Sequence, residues 1–252
     1  MPRSVKVTGG ELVADIDGEG PPVVLLHSGV TDARQWEAVT ELIRGRATVI
    51  RYDRRGYGRS VRYKRGRYSA ALDLLELLDG LGLERVVACG NSGGGEALLE
   101  AATLQPERFT RLVLLAPALY PWPWSESMEA YGEAEEAALA AGDFEAAVQL
   151  NVDRWVHRPE HREPVAEMQR RAFANQRRHP FEEFGLDDPP VADRLDRITC
   201  PVRVMVGAHD YEEFRAIAAH LAGTLADATA EEVPDAGHLL GLEAPELIAS
   251  AL

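Results

Sequence analysis

Two rhythms of apolar residues run along the chain. Short unbroken runs rich in Val, Leu and Ile suit strands buried on both faces: Pro22 to His27 (PVVLLH), Ala47 to Tyr52, Arg85 to Cys89, Leu112 to Ala116, Val202 to Val206 and, more weakly, Thr229 to Val233. Between them the spacing becomes helical. Ala71, Leu74, Leu75 and Leu78 share one face of a helix predicted from Tyr68 to Leu81. Further helices are predicted around Gln35 to Arg44, from Glu96 to Leu104 before the break at Pro106, from Glu212 to Leu225, and after Pro245. Two runs at the start, Ser4 to Thr8 and Glu11 to Asp17, flank Gly9-Gly10 and predict an antiparallel hairpin. Strands alternating with helices in this way predict an α/β protein with a largely parallel sheet.

The alternation stops at Pro117. From there to Asp193 no run reads as a strand, and Ala, Glu and Arg dominate three predicted helices, Glu126 to Ala141, Phe144 to Trp155 and Pro164 to Arg178. Amphipathic helices inserted between two strands of one sheet must bury a face against something. The expected organisation is therefore a core made of 1–116 and 194–252 and a helical cap over 117–193. Trp122, Trp124, Phe144, Trp155 and Phe173 of that cap are large enough to line an acyl pocket, although buried aromatic rings more often simply pack.

Composition narrows the function classes. A hydrophobic share of 46% across 252 residues allows a large core without disulfides or metals. The net charge of −14 argues against nucleic acid, which needs clustered Lys and Arg. One basic run exists, Arg51, Arg54, Arg55, Arg59, Arg62, Lys64, Arg65 and Arg67, and it reads as a solvated loop. Cys89 and Cys200 lie in apolar surroundings and read as small buried hydrophobes. MPRSVKVTGG lacks the apolar region of a secretion signal, and no stretch approaches the roughly 20 apolar residues of a membrane span, so a cytoplasmic protein with no membrane partner is expected.

The chemistry concentrates in Gly90-Asn91-Ser92-Gly93-Gly94, a G-x-S-x-G between a predicted strand and a predicted helix. A serine on so sharp a turn is lifted clear of the sheet, and glycines are needed where side chains would meet the backbone beneath. The Gly93 amide, at a helix start, is placed to stabilise an oxyanion. A chance motif in a glycine-rich loop is the alternative. A hydroxyl is a weak nucleophile without a base, which directs attention to His238 in VPDAGH, past the last strand. Asp210, ending VMVGAHD, follows a strand between the helical segment and His238 and could accept from the imidazole, with Glu212 and Glu213 as fallbacks. A second oxyanion amide is expected after the early buried strand in His27-Ser28-Gly29-Val30: Gly29, with Val30 as the alternate. His27 itself reads as a hydrogen-bonded loop residue.

LLHSGVTDARQW, YDRRGYGRS, GNSGGG, VGAHD and PDAGH, in that order, resemble the α/β-hydrolase superfamily over essentially the whole chain. The resemblance implies a mostly parallel eight-stranded sheet flanked by helices, with a helical cap inserted before the acid strand. It implies no cofactor, and ester, lactone or related acyl chemistry. A small-molecule substrate, no metal, and a monomer or homodimer are expected. Asp53 to Ser60 looks like that superfamily's G-x-G-x-S turn, with Gly56, Gly58 and Ser60 structural. His27-Ser28, with Thr31-Asp32 and Trp36, is similar to enol-lactonases of the 3-oxoadipate type, and the Ser28 hydroxyl could add a donor beside the substrate. Serine at position 92, where haloalkane dehalogenases and epoxide hydrolases carry aspartate, argues against those activities. The same three residues could instead serve C–C bond hydrolysis, perhydrolysis, a cyclase or a lyase, and a catalytically silent ligand-binding protein is a further class.

Overall fold

The computed structural model describes residues 2–185 and 189–252; Met1 and residues 186–188 of the expected cap lie outside it. The hairpin forms from β1 (Pro2–Val7) and β2 (Gly10–Asp17), with Val7 opposite Gly10. Then come β3 (Pro22–Leu26), α1 (Glu37–Ile43), β4 (Thr48–Asp53), β5 (Arg67–Tyr68) and α2 (Ala70–Leu81). The middle of the chain holds β6 (Val86–Asn91), α3 (Gly93–Leu104) and β7 (Phe109–Leu115). Three helices follow, α4 (Glu126–Ala140), α5 (Phe144–Trp155) and α6 (Arg162–Arg178), then β8 (Glu182–Glu183). The chain finishes with β9 (Val202–Gly207), α7 (Glu212–Thr224), β10 (Ala228–Val233), α8 (Leu240–Glu243) and α9 (Pro245–Ala251).

Eight strands form one sheet in the order β1-β2-β4-β3-β6-β7-β9-β10. The β1/β2 and β2/β4 pairs are antiparallel, and all the others are parallel. Parallel neighbours need helical crossovers, which cover both faces and bury Val23 to Leu26 of β3 and Leu112 to Leu115 of β7. All parallel strands end at one edge, where an open α/β sheet has its crevice. His27, Ser92 and Asp210 follow β3, β6 and β9 there, and His238 lies five residues beyond the end of β10.

Local chemistry sets the helix ends. The Ser69 hydroxyl accepts from the Leu72 amide to start α2, and Gly82 ends that helix at φ 69°, a left-handed conformation glycine adopts freely. Ser125 and Asp143 cap α4 and α5 in the same manner. Among the described residues, no helix is long and apolar enough to cross a membrane.

Three expectations need correction. Tyr68 belongs to β5, and α2 begins after the Ser69 cap. The stretch after Pro117 does contain a strand: β8 pairs in parallel with β5, matching Arg67 to Glu182 and Tyr68 to Glu183. The basic run is not a solvated loop, because Arg54 and Arg55 are buried and several of the other arginines are paired. Arg55 grips Asp73 through Nε at 2.9 Å and Nη2 at 2.6 Å while lying 3.7 Å above the Tyr68 ring. Arg54 meets Glu183 at 2.6 Å, and Arg59 bridges Asp53 at 2.8 Å and Asp15 at 2.9 Å. These pairs staple the loop after β4 to the hairpin, α2 and β8. The Asp53 to Ser60 turn is structural: the Ser60 hydroxyl donates to the Asp53 carbonyl at 2.6 Å, and a Cβ at Gly58 would lie 2.3 Å from the Asp53 carboxyl carbon.

Replacing Asp73 with Ala leaves the buried Arg55 charge without its partner. The expected loss is about 3–5 kcal/mol of unfolding free energy, read from denaturant titration, whereas breaking the exposed Arg170–Glu163 pair should leave that measurement nearly unchanged.

Candidate active site

Ser92 sits between β6 and α3 at φ 53° and ψ −121°, outside the regions where non-glycine residues rest without strain, at a cost of about 1–3 kcal/mol. What holds it there is backbone at close quarters. A Cβ on Gly90 would come within 2.5 Å of the Gly94 carbonyl oxygen, and one on Gly94 within 2.5 Å of the His27 carbonyl oxygen. The Ser92 amide donates to the Leu115 carbonyl at 2.9 Å, tying the turn to β7. The helix then starts at Gly93, three residues before the position expected from propensity. Its first amide has no turn behind it to bond.

Asn91 anchors this turn. Fully buried, it donates from Nδ2 to the Leu115 carbonyl at 2.9 Å and to the His238 carbonyl at 3.0 Å, and its Oδ1 accepts from Gln35 Nε2 at 2.8 Å. Gln35 Oε1 accepts from the Ser28 amide at 3.0 Å and from the Thr31 hydroxyl. One network thus joins the loops after β3, β6 and β10. A polar residue ending the apolar run VVACGN was the available signal for it, since a buried amide needs partners.

His238 and Asp210 are both buried, and the imidazole Nδ1 lies 2.9 Å from Asp210 Oδ2 and 3.1 Å from Oδ1. Asp210 Oδ1 also accepts from the Tyr211 amide at 2.8 Å, fixing the carboxylate. The ring is held between Trp155, 4.5 Å away centre to centre, and Phe214 at 4.4 Å. The loops of Asp210 and His238 cross tightly: the His209 amide donates to the Ala236 carbonyl at 2.9 Å, and a Cβ on Gly207 would lie 2.2 Å from the Ala236 and Gly237 carbonyl oxygens. His209 itself turns away and stacks on His157 at 4.2 Å.

Ser92 and His238 line one cavity of about 370 Å³ together with Gly29, Val30, Trp155 and Phe173. A neighbouring cavity of about 410 Å³ touches Gly93 but neither Ser92 nor His238. Of the aromatic residues expected at the pocket, Trp155 and Phe173 border the Ser92 cavity. Trp122, Trp124 and Phe144 do not. Trp124 packs on Phe214 at 5.6 Å, Trp122 lies 5.5 Å from His220, and Phe144 lies 6.5 Å from Phe173. Ser28 also differs from expectation: its hydroxyl is buried, 2.9 Å from the Thr31 hydroxyl, and receives the Val30 amide at 3.3 Å. Val30 therefore has its amide engaged, whereas the contact recorded for Gly29 is its carbonyl accepting from Gln169 Nε2 at 3.3 Å. Sequence reading missed the polar part of the wall, Tyr57, Tyr131, Glu135, Asn151, Gln169 and Gln176. Among the described residues, no group of three or more His, Cys, Asp or Glu is placed to hold a metal ion.

His27 is fully buried, with Nδ1 donating to the Ser28 carbonyl at 2.7 Å and Nε2 accepting from the Arg54 amide at 2.9 Å. Burial, reinforced by the Arg54 cation, pushes its pKa down to about 4. It is a neutral structural bolt.

The fold and this arrangement are those of an α/β hydrolase. The model of the alpha/beta hydrolase family matches residues 23–251, and the chain belongs to that family. A Caulobacter vibrioides protein whose name describes a carbamate hydrolase, RutD, is 29% identical over 92% of this chain and 89% of its own. 3-oxoadipate enol-lactonase 1 of Acinetobacter baylyi is 26% identical over 97% of this chain and 93% of its own. Among solved structures, a thermophilic esterase from Thermogutta terrifontis superposes with a TM-score of 0.78 at 26% identity, covering 100% of this chain and 96% of that one.

Two outcomes are expected. As pH falls from 6.5 to about 4 the unfolded chain protonates His27 before the folded one does, so stability that is full above pH 6.5 declines through this window, by about 3 kcal/mol from this residue. A His27→Asn variant should lack that part of the pH dependence in denaturant titrations. Asn91→Leu strands the Gln35 amide and the His238 carbonyl, and should lower unfolding free energy by at least about 2 kcal/mol in the same measurement.

Proposed function

We propose that the protein is a cofactor-independent serine hydrolase that cleaves a carboxylic ester or lactone of a small molecule through an acyl-enzyme on Ser92. The observation that carries this reading is the His238–Asp210 pair, with a strained serine lining the same cavity as the imidazole. Because Asp210 engages Nδ1, the neutral imidazole carries its proton there and leaves Nε2 free to act as a base.

In the first step Nε2 of His238 removes the Ser92 proton as Oγ adds to the substrate carbonyl carbon. Negative charge collects on the carbonyl oxygen, where the amides of Gly93 and Gly29 donate to it, and Asp210 stabilises the imidazolium. Collapse expels the alcohol, which takes the proton from Nε2. Water activated by the same nitrogen then adds to the acyl-enzyme and releases the acid. The segment 117–193 acts as a cap, since it contributes Trp155 and Phe173 to the cavity wall. The names of relatives, an esterase and an enol-lactonase, support the ester and lactone reading.

Ser92→Ala should abolish turnover of a simple aryl ester and covalent labelling by a fluorophosphonate. Asp210→Asn should lower kcat about 10³–10⁴-fold with the fold intact. In heavy-oxygen water the acid product should carry solvent oxygen. A labelled, active Ser92→Ala variant would refute the assignment.

A further inference from the structure

The cavity beside Ser92 has an apolar wall, with Val30, Leu139, Trp155 and Phe173, and a polar one. Tyr131 and Glu135 of α4 and Asn151 of α5 all line it. A chain of hydrogen bonds joins them: Trp155 Nε1 donates to the Tyr131 hydroxyl oxygen at 2.8 Å, that hydroxyl donates to Asn151 Oδ1 at 2.5 Å, and Asn151 Nδ2 donates to Glu135 Oε1 at 2.5 Å. Asn151 Nδ2 also donates to the Ala147 carbonyl at 3.1 Å, so both ends of its amide are engaged. Glu135 is left with Oε2, which has no hydrogen-bond partner among the described residues.

Among the described residues, no Lys or Arg lines this cavity, so Glu135 meets no counter-ion there. Burial pushes the Glu135 carboxyl up, and only the Asn151 amide opposes that shift. An aliphatic chain would strip water from Oε2 and offer nothing in return, and a carboxylate would meet like charge in a space with no cation. A group bearing N–H or O–H would supply the missing donor.

On the reading of Ser92 as nucleophile, we infer that Glu135 selects the substrate: an ester or lactone carrying a hydrogen-bond donor, such as a carboxamide, hydroxyl or ammonium group, on the part that extends past the scissile carbonyl. Asn151 and Tyr131 orient Glu135, and through Trp155 the chain ends against the His238 ring. Recognition and the base are thereby carried by contiguous side chains.

The test uses the full chain and esters of matched shape ending in a carboxamide, an isopropyl group or a carboxylate. One series varies the acyl side and another the alcohol side, each over several chain lengths, with acid release followed by titration. In at least one series, kcat/KM for the carboxamide should exceed that for the isopropyl ester by about tenfold or more, and exceed that for the carboxylate further. In Glu135→Leu the carboxamide-to-isopropyl ratio should fall to about one. Glu135→Gln keeps an acceptor and removes the charge, so it should retain that preference while losing discrimination against the carboxylate. Ratios within one protein are unaffected by a general loss of activity. Wild-type ratios near one in both series, an unchanged ratio in Glu135→Leu, or full discrimination against carboxylate in Glu135→Gln would overturn the inference. Equal turnover of all three esters would overturn it alone. Failure to cleave any ester, together with failure of a fluorophosphonate to label Ser92, would remove the nucleophile reading and this inference with it.

Discussion

The end of β6 passes so close to its neighbours that nothing larger than glycine fits two residues to either side of Ser92, at Gly90 and Gly94. That crowding places the hydroxyl at the carboxyl edge of the sheet, because a chain leaving a central strand into a helix with no spare residues must turn through a conformation other side chains avoid. The strain persists because surrounding contacts over-determine it: Gly94 lies under the His27 carbonyl, Ser92 is bonded to Leu115, and Asn91 binds carbonyls from β7 and from the loop of His238. Together these contacts come from the loop after β3, the end of β7 and the loop of His238. The serine is therefore located by the packing of the sheet itself.

Electrostatics does comparable work on the neighbouring side. Arg54, Arg55 and Arg59 are consumed by carboxylates contributed from β2, β4, α2 and β8. Segments far apart in sequence are pinned to the loop after β4, and that loop in turn donates an amide to His27. The buried histidine thus connects the arginine cluster to the loop that carries Gly29.

How much of this was legible before any coordinates follows from the range of each interaction. Central strands announce themselves because burial on both faces demands unbroken apolar runs, and the order of the Ser92, Asp210 and His238 loops follows once those strands are placed. Strand β8 was invisible, since Glu182 and Glu183 carry no apolar signal and exist as a strand only through pairing with β5. The start of α3 was misplaced because Gly93, Gly94 and Gly95 are poor helix formers, and at Gly94 and Gly95 clearance from His27 and Pro117 dictates the glycine. The arginines misled for a related reason: Asp15, Asp73 and Glu183, their partners, lie elsewhere in the chain. Nothing in the sequence distinguishes Glu135 from Glu133 and Glu136, and only the helix packing shows which of the three lines the cavity.

The pairing of β5 with β8 bears on how a ligand reaches Ser92. It fastens the far end of the helical segment to the body of the protein beside Arg54, whose guanidinium is almost wholly enclosed and relies on Glu183. Peeling that end away would strand a cation inside the protein, a penalty of several kcal/mol. Movement that spares this latch, confined to α4 and its flanking turns, strands no buried cation: α4 has no fully buried residue, and its hydrogen bonds to Asn151 and Trp155 are made by the side chains of Tyr131 and Glu135. The doorway should open on that flank.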